Sequence, residues 1–405
     1  MRARTCAVVV LLAVVGWGAR ASAADADAEL SYAQTIARAR QRAPDLVVAR
    51  AREGIARAEV GVAGTYPNPT LIAGTSTQAA RFSVGASIPL VVLGQRGAAI
   101  DASRADLATV RVETQGTWNE VRSAAAHAFV GLWLAQRTAA ARVDAAALAR
   151  RVDTAIAGKV ELGAIPEVEG LRAHAERLRA DADAQEAEQL VEAAGTDLAR
   201  WIGSTTGASL RAVGDPEVPA TPAPLAELVA KIGGNPAVRR EDADALAADA
   251  RVHRERTLVR PTLVLDLGAD MGDPTQPTTN YRAQLAIDLP IFNQRGGYID
   301  RERAAAAAAR SRSSTERARA LAALESAYRT FVAISARAKA LAEGVVPAAR
   351  AAAIATEEQY TLGRAPLVAL LDAEKARVDA NLSLVSALGA RANAWIEVER
   401  AIGQS

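Results

Sequence analysis

The chain has 405 residues, with 48 Lys and Arg against 46 Asp and Glu, a balance that excludes a basic nucleic-acid surface. Half of it is hydrophobic but only 4% is aromatic, and alanine, the best helix former, carries much of the apolar content. The single cysteine, Cys6, excludes a disulfide framework and a thiol nucleophile from the rest of the chain.

Arg2 and Arg4 precede an apolar run from Cys6 to Trp17, and Ala21-Ser22-Ala23 puts small residues at −3 and −1 of a cleavage point before Ala24. This is the pattern of a secretory signal peptide over 1–23, with an apolar run short of the roughly 20 residues a spanning helix needs. Without Arg2, Arg4 and Arg20 the chain has 45 basic residues against 46 acidic ones. No later segment offers about 18 uninterrupted apolar residues, so a membrane crossing would have to be made by strands.

After a first helix, residues 68–78 read as a weak strand and 81–90 as a better one, with Phe82, Val84, Ala86, Ile88 and Leu90 on one face. No proline follows between Gly97 and Gly158, where Val121, Ala125, Ala128, Leu132, Ala135 and Ala139 step by fours and threes, the spacing of a packed helical seam. A helix of about 60 residues is about 90 Å long and cannot fold back into a globule, so the seam must be buried against neighbouring helices. A Gly and Pro turn and a return helix from about Pro166 to Ile202 follow.

The chain then repeats itself. Pro44 and Pro69 answer Pro236 and Pro261 at a spacing of 192. Ile88-Pro89-Leu90 answers Leu289-Pro290-Ile291, and Gln95-Arg96-Gly97 answers Gln294-Arg295-Gly296. At a spacing of 200, Leu162-Gly163-Ala164-Ile165-Pro166 answers Leu362-Gly363-Arg364-Ala365-Pro366, and Ile202-Gly203 answers Ile402-Gly403. We therefore expect two copies of one unit, 24–214 and 215–405, each too long to be a solenoid repeat. In the second, 262–270 and 281–290 alternate: Leu263, Leu265, Leu267 and Ala269 oppose Val264, Asp266, Gly268 and Asp270, while Tyr281, Ala283, Leu285, Ile287 and Leu289 oppose Arg282, Gln284, Ala286 and Asp288. Strands of nine or ten residues suit a tilted membrane strand, although the alternation alone fits a soluble hairpin equally well. A second seam runs through Leu324, Tyr328, Phe331, Ser335, Ala338 and Ala342 to a return helix at about Pro366–Ile402.

In this order the elements resemble the TolC-type outer-membrane efflux channels: a signal peptide, two repeats of helix, two strands, long helix, turn and helix, prolines at the strand edges, and a helix start reading Pro-Leu-Val-x-x-Leu-Leu-Asp-Ala. The resemblance covers about Leu30 to Gly403. It implies a mostly α protein with a transmembrane β-barrel, trimeric, each subunit giving four strands to a twelve-stranded barrel that continues as a long periplasmic α-helical barrel. Pro290-Ile291-Phe292-Asn293 followed by Gly296-Gly297 and Ile299 is similar to the cobalt–zinc–cadmium efflux branch, with Arg295 where that branch commonly has asparagine.

The resemblance also implies a constriction at the periplasmic tips. Tyr360 matches a tyrosine that closes hydrogen bonds between helices, and Asp372 one of two carboxylates that ring the aperture, the other position being Ala369. The arginine partner of the tyrosine falls on Ala365, with Arg364 one place earlier, and Glu169 matches a further polar lock. Glu167 stands beside it in the first helical turn, where carboxylates also serve simply to stabilise a helix start. The turns Leu162, Gly163, Pro166 and Leu362, Gly363, Pro366 would meet the adaptor, and Asp266, Asp270, Arg282 and Asp288 would face the barrel lumen. The implied partners are two further copies of the chain, a periplasmic adaptor, an inner-membrane RND-type pump and outer-membrane lipid.

No catalytic apparatus is expected. His127, His174 and His253 are far apart in sequence and read as solvated side chains, no phosphate-binding loop or Gly-x-Ser-x-Gly occurs, and no cofactor or metal is implied. The expectation is a passive exit duct, most simply for divalent metal cations, with multidrug or type I secretion channels, a periplasmic coiled-coil adaptor or a scaffold as alternatives.

Overall fold

The computed structural model describes residues 29–403 apart from 76, 78–80, 205–209 and 273–277. The expected signal segment 1–23 and Gln78, at the end of the first expected strand, lie outside the described residues.

The described chain opens with β1 (Glu29–Leu30) and α1 (Tyr32–Arg42), which begins with a capping box: the Ser31 side chain accepts from the Gln34 amide and the Gln34 side chain accepts from the Ser31 amide. Pro44 stops α1 and starts α2 (Pro44–Ala63), since it has no amide to donate but suits a first helical turn. Strands β2 (Thr70–Gly74) and β3 (Phe82–Leu90) lead into α3 (Gln95–Glu161), a single helix of 67 residues, and α4 (Glu167–Ile202) returns. A proline-rich linker holding β4 (Arg211–Ala212), α5 (Leu225–Ala230) and one 3₁₀ turn crosses to the second half. There α6 (Pro236–Thr257), β5 (Thr262–Met271) and β6 (Asn280–Asp288) precede α7 (Gly296–Ala340), a π turn at Leu341–Val345, α8 (Val346–Thr361) and α9 (Leu367–Ile402).

The β6 strand leaves its ladder at Asp288, ahead of the expected 290, because Pro290 has no N–H to give and restrains the residue before it. The four long strands form one antiparallel sheet in the order β2-β3-β5-β6, so β3 and β5 join the two halves of the chain. A single chain thus closes no barrel. It leaves β2 and β6 as open edges.

The seam of α3 is largely buried: Val121, Ala125, Ala128, Leu132 and Ala139 are inside and Ala135 is half-buried, and the first four pack with Phe129 and Trp118 against Tyr32, Leu198, Ile202 and Ile396. Tyr32 meets Phe129 edge-on at 5.6 Å, and burial pushes its phenol up to about 12. The second seam holds through Leu324, Phe331 and Ala338, but Ala342 is exposed. Pro347 gives the reason. It cannot donate to the preceding turn and its ring crowds the carbonyl four residues back, so the helix widens into the π turn and the heptad register slips.

The linker elements escape any reading of local pattern. β1 pairs in parallel with β4 across most of the first half, and Arg391 on α9 donates to the Pro219 carbonyl at 2.8 Å, tying the linker across the bundle. Both return helices end on left-handed glycines that also admit close backbone contact. A Cβ on Gly203 would lie 2.5 Å from the Arg42 carbonyl oxygen, and one on Gly403 2.6 Å from that of Gly234. Arg42 and Gly234 stand at the same place in the two halves, just ahead of Pro44 and Pro236.

Candidate functional site

The molecule offers two places where function can sit: the sheet at one end and the helix tips at the other. With a rise of 1.5 Å per residue, the 67 residues of α3 separate them by about 100 Å.

At the sheet, register decides which side chains share a face. Leu263, Leu265, Leu267 and Ala269 stand opposite Ile287, Leu285, Ala283 and Tyr281 on one side and Leu90, Ile88, Ala86 and Val84 on the other. Leu71 and Ala73 extend the same apolar face to the β2 edge. Leu71 is 83% exposed and Tyr281 87%, so this face has no partner within the chain. The opposite face is polar and brings together the four residues expected in a lumen: Asp266 pairs in register with Gln284 and Ser87, Asp288 with Thr262, and Asp270 takes Arg282 at 3.1 Å.

Below the sheet, Arg295 enters α7 in the left-handed region at φ 55, a strained backbone for a residue other than glycine, asparagine or aspartate. Its guanidinium bonds the buried Glu255 at 2.5 and 2.8 Å and lies over Tyr298 at 4.6 Å, contacts that offset the strain and that an asparagine could not reach. Burial pushes the Glu255 carboxyl up, but hydrogen bonds and charge from Arg295 and Arg254 outweigh it and hold the group below the usual carboxylate range. Glu241 and Glu302 are likewise buried against Arg312, Arg251 and Arg301, so α6 meets α7 through a ladder of ion pairs.

At the tips both turns close the same way. The Gly163 amide donates to Val160 and the Ala164 amide to Lys159; the Gly363 amide donates to Tyr360 and the Arg364 amide to Gln359. With Gly163 and Gly363 left-handed, each is a Schellman closure, and it leaves Leu162 and Leu362 exposed ahead of Pro166 and Pro366. Tyr360 packs on a small cluster of Ile156, Ala173, Leu367 and Leu370. Its polar neighbour is Lys159, which donates to the phenol oxygen at 3.3 Å and sits 4.5 Å from the ring centre. Arg364, one place before the position Ala365 where the resemblance puts the tyrosine's arginine partner, is exposed, and the polar neighbour of Tyr360 comes from the other hairpin. Sequence reasoning passed over Lys159, whose one signal was its place three residues before the turn.

Glu167 is exposed and Glu169 half-buried in the first turn of α4, while Asp372 is exposed on α9. Asp372 lines an open groove of about 690 Å³ between α4 and α9, with Arg172, Glu176 and Arg179 across from it. The structure does not bring Asp372 together with Tyr360 or Glu169 in one hydrogen-bonded cluster. His174 and His253 are exposed, as expected, His174 lying 3.4 Å from Asp153; the His127 ring is instead half-buried and bridges Asn393 Oδ1 and Glu397 Oε1 on α9, both at 2.8 Å. Among the described residues no group of three or more His, Cys, Asp or Glu is placed to hold a metal ion.

Residues 231–404 match the family model described as outer membrane efflux protein. The cobalt-zinc-cadmium resistance protein CzcC of Cupriavidus metallidurans is 26% identical over 348 residues, 84% of this chain and 82% of that protein. Crystal structures of CusC share the fold at a TM-score of 0.76 and 15% identity, covering 92% of each chain. The CmeC outer membrane channel of Campylobacter jejuni gives 0.76 at 16% identity over 92% of this chain and 85% of its own. The outer membrane protein VceC of Vibrio cholerae gives 0.73 at 17% over 92% and 96%. The family match thus falls on the second half of the chain, and the fold of these outer membrane channels extends over nine-tenths of its length.

Proposed function

We propose that the chain is the outer-membrane duct of a tripartite efflux assembly, three copies closing a twelve-stranded barrel and a periplasmic helical tunnel. One observation carries the reading: a sheet of four strands with an apolar outer face and two open edges, which lipid does not tolerate until it is closed. Pairing β2 of one copy with β6 of the next removes every edge. The stripe of Val47, Val48, Ile55 and Val62, exposed on α2, supplies an apolar face for the same neighbour. The two repeats, 24–214 and 215–405, then place two hairpins per copy around the tunnel, six in all.

Transport through such a duct is passive, and energy comes from an inner-membrane RND-type pump reached through a periplasmic adaptor that docks on the two Schellman turns. Asp372, Glu169 and Glu167 polarise the tip, and Tyr360 holds the two hairpins together through Lys159. The resistance named for the Cupriavidus relative supports divalent metal cations as the cargo. The test is direct. Deleting the gene should lower tolerance to cobalt, zinc and cadmium, with heat-modifiable trimers in the outer-membrane fraction of the parent. Unchanged metal tolerance with lost tolerance to dyes or detergents would move the cargo to the multidrug class, and absence of trimers from the outer membrane would overturn the duct.

A further inference from the structure

Along the polar face of the sheet the charges are not mixed but stepped. Successive rows lie about 7 Å apart, two residues along each strand. Nearest the helices, Asp288 pairs in register with Thr262; two rows on, Thr70, Ser87, Asp266 and Gln284 form one row across all four strands, every side chain bearing oxygen. Asp266 and Asp288 make no ion pair among the described residues. The next row is Ile72, Gly85, Gly268 and Arg282. Its two glycines leave a trough, and Arg282 lies in it: a Cβ on Gly268 would sit 3.3 Å from an Arg282 terminal nitrogen. Arg282 is held there by Asp270 in the row beyond, and Arg81 stands beside Gly272 at the far end. Arg260, below the sheet, is engaged with the Leu93 carbonyl and does not neutralise Asp288.

We propose that Asp266 and Asp288 make the helix-side half of the barrel interior a cation-selective zone, that the Asp270 and Arg282 pair ends this zone, and that the step between them sets the ion selectivity of the exit. The inference rests on the reading of the sheet as one third of a closed barrel. In that barrel each row becomes a ring: two uncompensated rings of three carboxylates, then a neutral pair. The same-sign rings concentrate cations before the exit, and the clamped guanidinium stops the field from trapping them at the mouth. Mobile salt screens wall charges within about 8 Å at 0.15 M but only within about 30 Å at 0.01 M, so the effect must grow as salt is lowered.

Reversal potentials of the purified full-length trimer in planar bilayers under a KCl gradient test this. At about 10 mM salt the double variant Asp266→Asn with Asp288→Asn should lower the K⁺ to Cl⁻ permeability ratio about twofold or more, and Arg282→Gln, which frees Asp270, should raise it. Asp266→Glu should keep the parent ratio, and near 1 M salt all variants should converge. Channels that form normally with the same ratio in every variant, or with both changes moving it in one direction, would overturn the selectivity step and leave the duct standing. A parent protein that forms trimers but no conducting channel would overturn the barrel reading itself.

Discussion

The two helices that run from the sheet to the tips are equal in reach and different in mechanics. In the first half α3 is one uninterrupted helix of 67 residues, and its middle carries most of the core. In the second half the same span is divided into pieces of 45, 5 and 16 residues, with no buried side chain in the π turn and one, Ala353, in α8. The starting helices differ in the other direction. α6 is wedged between α3 and α7 and buries two glutamates, Glu241 and Glu255, in ion pairs, whereas α2 packs chiefly on α3 and shows its apolar stripe to solvent. The two halves agree in helix length and tip geometry and differ where only their own neighbours are touched.

The comparison breaks most visibly at Pro347. Its counterpart at the 200-residue spacing is Ala147, exposed in the middle of α3. Ala147→Pro should destabilise the protein by about 3 kcal/mol or more, since no π turn is present to absorb the lost amide, while Pro347→Ala should change stability by less than about 1 kcal/mol. Chemical denaturation of the two variants side by side measures this; equal costs would mean that the π turn is not a response to the proline.

The two open edges offer the reverse test, because closure should make them equivalent. Leu71 on β2 and Leu285 on β6 lie on the same apolar face. Replacing either with arginine should cost about 2–4 kcal/mol and reduce heat-modifiable trimer to a similar degree, whereas Asp288→Asn should assemble normally. A defect confined to one edge would show that β2 and β6 do not meet in a shared seam.

The ion-pair ladder sharpens the contrast between α6 and α2. Glu255→Gln removes the partner of a strained arginine and should cost about 2 kcal/mol, the low end for a buried pair because Arg295 is still 28% exposed. Glu53→Gln, whose arginine partners are exposed, should cost less than about 0.5 kcal/mol. The sign with pH follows from the lowered carboxyl of Glu255: its contribution is present above the unfolded carboxylate pKa and is lost as pH falls through the lower folded value. Melting temperatures between about pH 7 and pH 3 should therefore fall less steeply for Glu255→Gln than for the parent, and parallel curves would sink this account.

The smallest effect is expected at the tips. Tyr360→Phe removes one hydrogen bond from Lys159 but keeps the ring beneath the cation, so stability should change by about 0.5 kcal/mol. If the contact ties the two hairpins, single-channel conductance should rise in both Tyr360→Phe and Lys159→Ala and stay at the parent level in Arg364→Ala. A rise in Arg364→Ala alone would make the arginine, and not Lys159, the group that holds the tip.

Much of this was legible in the residues, because the governing physics is local. Alternation assigns the faces of Tyr281 to Asp288 from a period of two, and the ends of α4 and α9 follow from Pro166 with Gly203 and from Pro366 with Gly403. The internal match at a spacing of 200 also anticipates that the return helices α4 and α9 both have 36 residues. Only the tertiary structure decided what depends on distant segments meeting. The adjacency of β3 and β5, the pairing of β1 with β4, the choice of Lys159 over Arg364 beside Tyr360 and the clasp of His127 on Asn393 and Glu397 all join residues more than 100 apart. The π turn lies between these cases: Gly344 and Pro347 mark it in the sequence, but the loss of register at Ala342 depends on which face of the widened helix the neighbouring α9 accepts.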